Sequence, residues 1–251
     1  MKRNILLALV FSGAVSANAF AGIREDRLLQ AVREDDHRAI QTLLAEHANP
    51  NAPLPDKSTV LAWAVNRQDE ESVRLLLKSG AKPNSLDVDG ASPFLLACEL
   101  GNPIIVEDLL KAGADAKAAR PDGISALSLC ATASTPGALE ALIAKGADVN
   151  AADQQGQTAL IRAAAKGDID NMAVLIKHGA NVNAVTKKGW TALFFALQSK
   201  VPAAVNMLAD AGADTKATLP DGTSMVQAAI MEHDIPFAAR LIAALGDMSQ
   251  V

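Results

Sequence analysis

Ten glycines in two interlocked ladders constrain this 251-residue chain more than any other feature. Gly90, Gly123, Gly156, Gly189 and Gly222 stand 33 residues apart, and so do Gly80, Gly113, Gly146, Gly179 and Gly212. A period that long and that strict belongs to a stack of similar small units. Each unit leans on its neighbours and cannot bury its apolar face alone.

The text around the ladders repeats too. "GAKPNS", "GADAKA", "GADVNA", "GANVNA" and "GADTKA" follow one ladder; "ASPFLLA", "ISALSLC", "QTALIRA", "WTALFFA" and "TSMVQAA" follow the other. Stretches such as "ALIRAAAKGD" and "NMAVLIKHG" are short amphipathic patterns parted by a turn, each too short to persist as an isolated helix. The glycine after each second pattern is a left-handed helix stop, the Asp or Asn two residues later suits a turn, and the "DG" pair suits a hairpin tip. Leu127, Leu160 and Leu193 recur at one helix position and predict a layer between helices. Ala97, Ala163 and Ala196 recur at another and let neighbouring units approach. Alanine and leucine abound and tyrosine is absent, which suits short packed helices better than a sheet.

The period, the "DG-x-T-P-L-x-x-A-A" opening and the "LL-x-x-GADVNA" ending resemble the ankyrin repeat family, from about Arg24 to about Gly246. The resemblance implies an all-α solenoid of about seven helix-turn-helix repeats with short hairpin loops. The boundaries are a cap repeat at 24–52, repeats at 53–85, 86–118, 119–151, 152–184 and 185–217, and a C-terminal repeat at 218–246. Lys57 and His47 replace the two glycines in the first units, and Gly246 falls one residue out of step. The family's histidine after "T-P-L" is missing: Ala62, Leu95, Ser128, Ile161, Phe194 and Gln227 stand there, so looser turns are expected. Pro50, Pro53 and Pro55 predict an irregular first connection. The last helix, "IPFAARLIAALGD", is apolar for a solvent-facing cap and is expected to fray or be covered by a partner.

Lys2 and Arg3, the apolar run from Ile5 to Val15 and then Ala17-Asn18-Ala19 read as a secretory signal peptide over residues 1–21, with Ala19-Phe20-Ala21 as a second cleavage reading. Eleven apolar residues are too few for a membrane span, so no stable membrane insertion is expected and the mature domain, 22–251, is placed in the periplasm. Without Lys2 and Arg3, the 23 basic residues fall to 21 against 28 acidic ones, a net charge of −7, which argues against nucleic acid as a partner.

No catalytic template is filled. His37, His47, His178 and His233 fall at different repeat positions with no second ligand at i+3 or i+4. A haem or metal carrier would need His178 or His233 paired in a pocket, so no cofactor and no metal are expected. The serines have no nucleophile-elbow context, and the glycines form no phosphate loop. Asp35-Asp36 and Glu70-Glu71 read as solvated helix-start charges. Cys98 and Cys130, on first helices of neighbouring repeats, read as small buried residues in preference to a disulfide.

In the family the concave side carries the contacts, at the hairpin tips and the ends of the first helices. Carried over, the partner-binding candidates are Gln155, Gln157, Lys166, Lys187, Lys188, Trp190 and Gln198. A tryptophan flanked by cations has the composition of an interface hot spot and favours an acidic patch on another protein. The competing expectation is that Trp190 folds onto Phe194 while the lysines only keep the tip soluble. Trp63, in contrast, is expected in the core. Exported ankyrin proteins are similar in plan. The resemblance therefore implies a periplasmic interaction scaffold, in support of a stress-defence enzyme such as a catalase, or alternatively an immunity protein against an effector such as a phospholipase.

Overall fold

The computed structural model describes residues 13–219 and 221–246, with side chains for 23–219, 221–239, 241 and 242. Residues 1–12 of the expected leader, and Pro220 of the last tip, lie outside the described residues. The chain divides at Lys82/Pro83 into two compact units, three residues before the repeat boundary read from the sequence.

The first unit holds α1 (Gly13–Arg33), α2 (His37–Ala45), α3 (Val60–Asn66) and α4 (Glu70–Lys78). α1 packs on α3 and α2 on α4, so two helix pairs stack side by side. The second unit holds α5 (Pro93–Leu100), α6 (Pro103–Lys111), α7 (Ala126–Ala133), α8 (Pro136–Ala144), α9 (Ala159–Lys166), α10 (Ile169–Lys177), α11 (Ala192–Gln198), α12 (Pro202–Asp210), α13 (Met225–Met231) and α14 (Ile235–Gly246). Here the first helices form one layer, α5–α7–α9–α11–α13, and the second helices another, α6–α8–α10–α12–α14. Among the described residues there is no strand, only isolated antiparallel bridges at the hairpins, such as Ala152 with Thr158 and Val185 with Thr191.

The repeated residues do what their spacing predicts. Leu127, Leu160 and Leu193 are buried, and Ala97, Cys130, Ala163, Ala196 and Ala229 form a strip of small side chains where first helices meet. Cys98 and Cys130 are free thiols in this core.

The turns are not loose despite the missing histidine. Thr59, Ser92, Ser125, Thr158, Thr191 and Ser224 cap the first helices, each accepting a hydrogen bond from the N–H three residues on, at the very positions the family histidine would occupy. Each tip is closed by a backbone bond four residues wide, as from Asp153 N–H to the Gln157 carbonyl (3.0 Å) and from Thr186 N–H to the Trp190 carbonyl (2.9 Å).

Two further periodic devices appear. The asparagine of "GADVNA" is a staple between repeats. Asn150 donates to the Gly179 carbonyl and accepts from Asn181 N–H, and Asn51, Asn84 and Asn183 do the same one or more repeats away. A third left-handed ladder lies between the helices of each pair, at Asp35, Gln68, Gly101, Gly167, Lys200 and His233.

Ser134 breaks that ladder: at φ −106° and ψ −178° it is extended where the other pairs turn left-handed. Asn171 of α10, fully buried, compensates by donating to the Ser134 carbonyl at 3.0 Å and to Asp168 at 2.8 Å. Its own side-chain carbonyl is left without a partner.

Candidate partner-binding face

In the second unit the three middle tips rest on one another. Lys187 N–H donates to the Gln155 carbonyl at 2.8 Å, and Gln154 N–H to Asp122 at 3.0 Å. A side chain at Gly156 would come within 3.0 Å of the Thr186 and Lys187 backbone, so only glycine allows this approach. Asp153 organises the tip from beneath. It accepts from the N–H groups of Gln155 and Gln157 and from the Arg162 guanidinium at 2.8 Å. Partial burial works against the Asp153 carboxylate, but the bonds from Arg162, Gln157 and Gln155 together outweigh it, and its pKa lies below the ordinary value. The tip is thus held by an ionised carboxylate.

On this frame stand three aromatic rings. Trp190 meets Phe194 edge to face, centroids 4.3 Å apart and planes at 89°, and lies 5.8 Å from Phe195. Phe194 is buried, whereas Trp190 and Phe195 are half-buried. Trp190 therefore folds onto Phe194 and still presents part of its ring to solvent.

Trp190 divides two grooves. One, of about 290 Å³, is lined by Gln155, Gln157, Lys188, Trp190 and Phe195. The other, of about 320 Å³, is lined by Trp190, Phe194, Gln198, Leu219 and Met231 together with the carboxylates Asp221 and Glu232. A shallower hollow brings Lys166 beside Gln157, Arg162 and Phe195. Lys166, Lys187, Lys188 and Gln198 are exposed. Six of the seven residues proposed from the sequence thus line hollows around the aromatic group, and Lys187 stands on the Trp190 tip.

Phe195, Arg162 and Leu219 were not among those candidates. Phe195 and Arg162 are 33 residues apart, in the register that also holds Trp63, and that register was legible in the sequence. It also corrects the expectation for Trp63. Trp63 is half-buried on α3, not in the core, and its ring lies under the Arg33 guanidinium of α1 at 4.3 Å. It stands two residues after the buried Leu61, about 200° round the helix and so on its other side.

Among the described residues no group of three or more His, Cys, Asp or Glu is arranged to hold a metal ion, and no helix is long and apolar enough to cross a membrane.

A family model of ankyrin repeats, in three copies, matches residues 28–120 and 127–219. Among solved structures, the chain is similar to the crystal structure of the ankyrin repeat domain of Bcl-3, a member of the IkappaB protein family. The identity is 28% and the TM-score 0.67, over 80% of this chain and 92% of that one. No curated protein sequence matches.

Proposed function

The chain belongs to the ankyrin repeat family, and from that premise we propose that it is a periplasmic scaffold that holds another protein on the face around Trp190. Members of the family generally act as binding scaffolds and not as enzymes. The observation that carries the reading is a tryptophan that is rigidly buttressed yet half-exposed between two grooves. Buttressing lowers the entropy lost on binding, and a ring seated between hollows can be desolvated on both faces by a partner. Lys166, Lys187 and Lys188 are exposed, Lys188 in the groove beside that ring and Lys166 in the hollow next to Phe195, and they favour an acidic patch on the partner. The basic, apolar and small-residue order of residues 2–19 supports export. A stress-defence enzyme such as a catalase is the class of partner proposed.

The test is affinity capture of the tagged chain from the periplasm, beside a Lys187→Glu, Lys188→Glu, Trp190→Ala version. One stoichiometric protein lost by the triple variant supports the reading, and its identity separates a supported enzyme from a neutralised effector such as a phospholipase. A protein held equally by both versions would move the interface elsewhere.

A further inference from the structure

The face around Trp190 is electrostatically two-sided. Lys187 and Lys188 are exposed on its own tip, and Lys188 lines the groove toward Gln155 and Gln157. Across the indole, the apolar groove against Leu219 and Met231 is also lined by Asp221 and Glu232. Asp221 is exposed, and hydrogen bonds from Thr223 hold its carboxyl below the ordinary range, so it is anionic at neutral pH. Met231, 70% exposed, forms an apolar wall of that groove.

Resting on the partner-binding reading, we infer that this face takes an extended segment of a partner protein in which an acidic residue, a large apolar residue and a basic residue follow one another. The apolar side chain enters the groove between Trp190 and Met231, the acidic residue meets Lys187 and Lys188, and the basic one meets Asp221 and Glu232. Charge complementarity selects this occupant. A uniformly anionic ligand, nucleic acid included, would meet repulsion from Asp221 and Glu232 once past the tryptophan, and a uniformly basic one would meet the lysines. The groove, about 320 Å³, is at the small end of ligand pockets and suits one large side chain, not a helix face. Spacing follows from the stack. Lys188 and Asp221 stand one repeat apart, neighbouring first helices pack at about 8–10 Å and an extended chain advances about 3.3 Å per residue, so the acidic and basic residues fall roughly three apart with the apolar residue between them.

The experiment is selection of a random twelve-residue peptide library on the purified chain at low salt. The consensus peptide is then measured by fluorescence anisotropy against the natural chain, Trp190→Ala and Asp221→Lys/Glu232→Lys. Circular dichroism first checks that each variant is folded. The expected consensus has an acidic and a basic position about three apart with a large apolar residue between them, in one chain direction throughout. Its affinity falls at least about tenfold with Asp221→Lys/Glu232→Lys and recovers when the peptide's basic residue is exchanged for Glu. Peptides that depend on Trp190 but show no charge order, or that bind Asp221→Lys/Glu232→Lys unchanged, overturn the inference and leave the scaffold reading standing. No enrichment, or peptides indifferent to Trp190→Ala, overturns it as well, while the capture experiment decides the scaffold reading independently.

Discussion

Trp190 stands edge to face on Phe194, ring centroids 4.3 Å apart, four residues along one tip-and-helix corner. The contact fixes the indole without hiding it, so the residue both supports its repeat and remains available. A structural tryptophan and a binding tryptophan are the same side chain here, and the experiments below separate the two roles.

Reversing the lysines should act on association and not on folding. Lys187 and Lys188 are exposed at the tip, and the tip is closed by backbone bonds that leave their side chains out. Lys187→Glu/Lys188→Glu should slow association with the captured partner about tenfold or more at low salt, with the gap closing at high salt. The melting temperature should stay within about 1 °C, since surface substitutions of this kind are nearly neutral. Stopped-flow or surface-plasmon kinetics over a salt series reads the first, and a thermal melt the second.

Asn171 is the only asparagine at its register, where neighbouring repeats carry Ala138 and Ala204. By repeat consensus Asn171→Ala would look harmless. Because Asn171 satisfies the Ser134 carbonyl in a buried place, the substitution should instead destabilise by about 1–3 kcal/mol. Hydrogen exchange should rise around residues 131–138. A denaturation midpoint equal to that of the natural chain would show the bond to be dispensable.

Lys117 sits where the stapling asparagines stand in other repeats. Lys117→Asn should restore two bonds, to the Gly146 carbonyl and from Asp148 N–H, and raise stability by about 0.5–1.5 kcal/mol. Denaturant titration checks the sign.

Two glycines with the same backbone sign should respond differently to alanine. Gly113, at φ +90°, has nothing within 4 Å of an added Cβ, so Gly113→Ala bears only the left-handed strain, about 1–2 kcal/mol. Gly101, at φ +81°, would place its Cβ 2.0 Å from the Ala133 carbonyl oxygen. Gly101→Ala should therefore cost clearly more than Gly113→Ala in parallel melts.

In the first unit the His37 Nε2–H donates to the Asp69 carboxylate at 2.9 Å. The bond to Asp69 raises the His37 pKa above 6.5. For Asp69, burial opposes ionisation, but hydrogen bonds from Ser72 and His37 prevail and lower its pKa below 3.8. The histidine contribution is complete below pH 6.5 and is lost as pH rises through the raised value. The aspartate contribution is complete above pH 3.8 and is lost as pH falls through the lowered one. The pair thus stabilises most between about pH 4 and 6.5. The effect is modest because His37 is well exposed. The natural chain should lose stability from pH 5.5 to 8.5 by more than His37→Gln does, as read from denaturation midpoints.

The repeat was legible because it rests on backbone geometry that only certain residues satisfy. Glycine marks two left-handed positions in five repeats, and small residues mark the strip where helices meet. The third left-handed position was hidden because Asp35, Gln68, Lys200 and His233 hold it as well as Gly101 and Gly167 do. The stapling asparagines carried their period openly, but a turn explains an asparagine as well as a bond across repeats does. At the site, exposed tip residues could be named from register alone. Phe195 could not be distinguished from a core aromatic, since its exposure depends on which way its helix turns relative to Arg162 and Trp190. Trp63 was misplaced for the same reason.

The most direct measurement is the affinity of the captured partner for Trp190→Ala, beside Lys145→Glu, an exposed charge at the end of α8 away from the tips. Trp190→Ala should lose about thirtyfold or more, about 2 kcal/mol, and Lys145→Glu should lose nothing. Equal affinity for Trp190→Ala and the natural chain would show that the indole takes no part in binding.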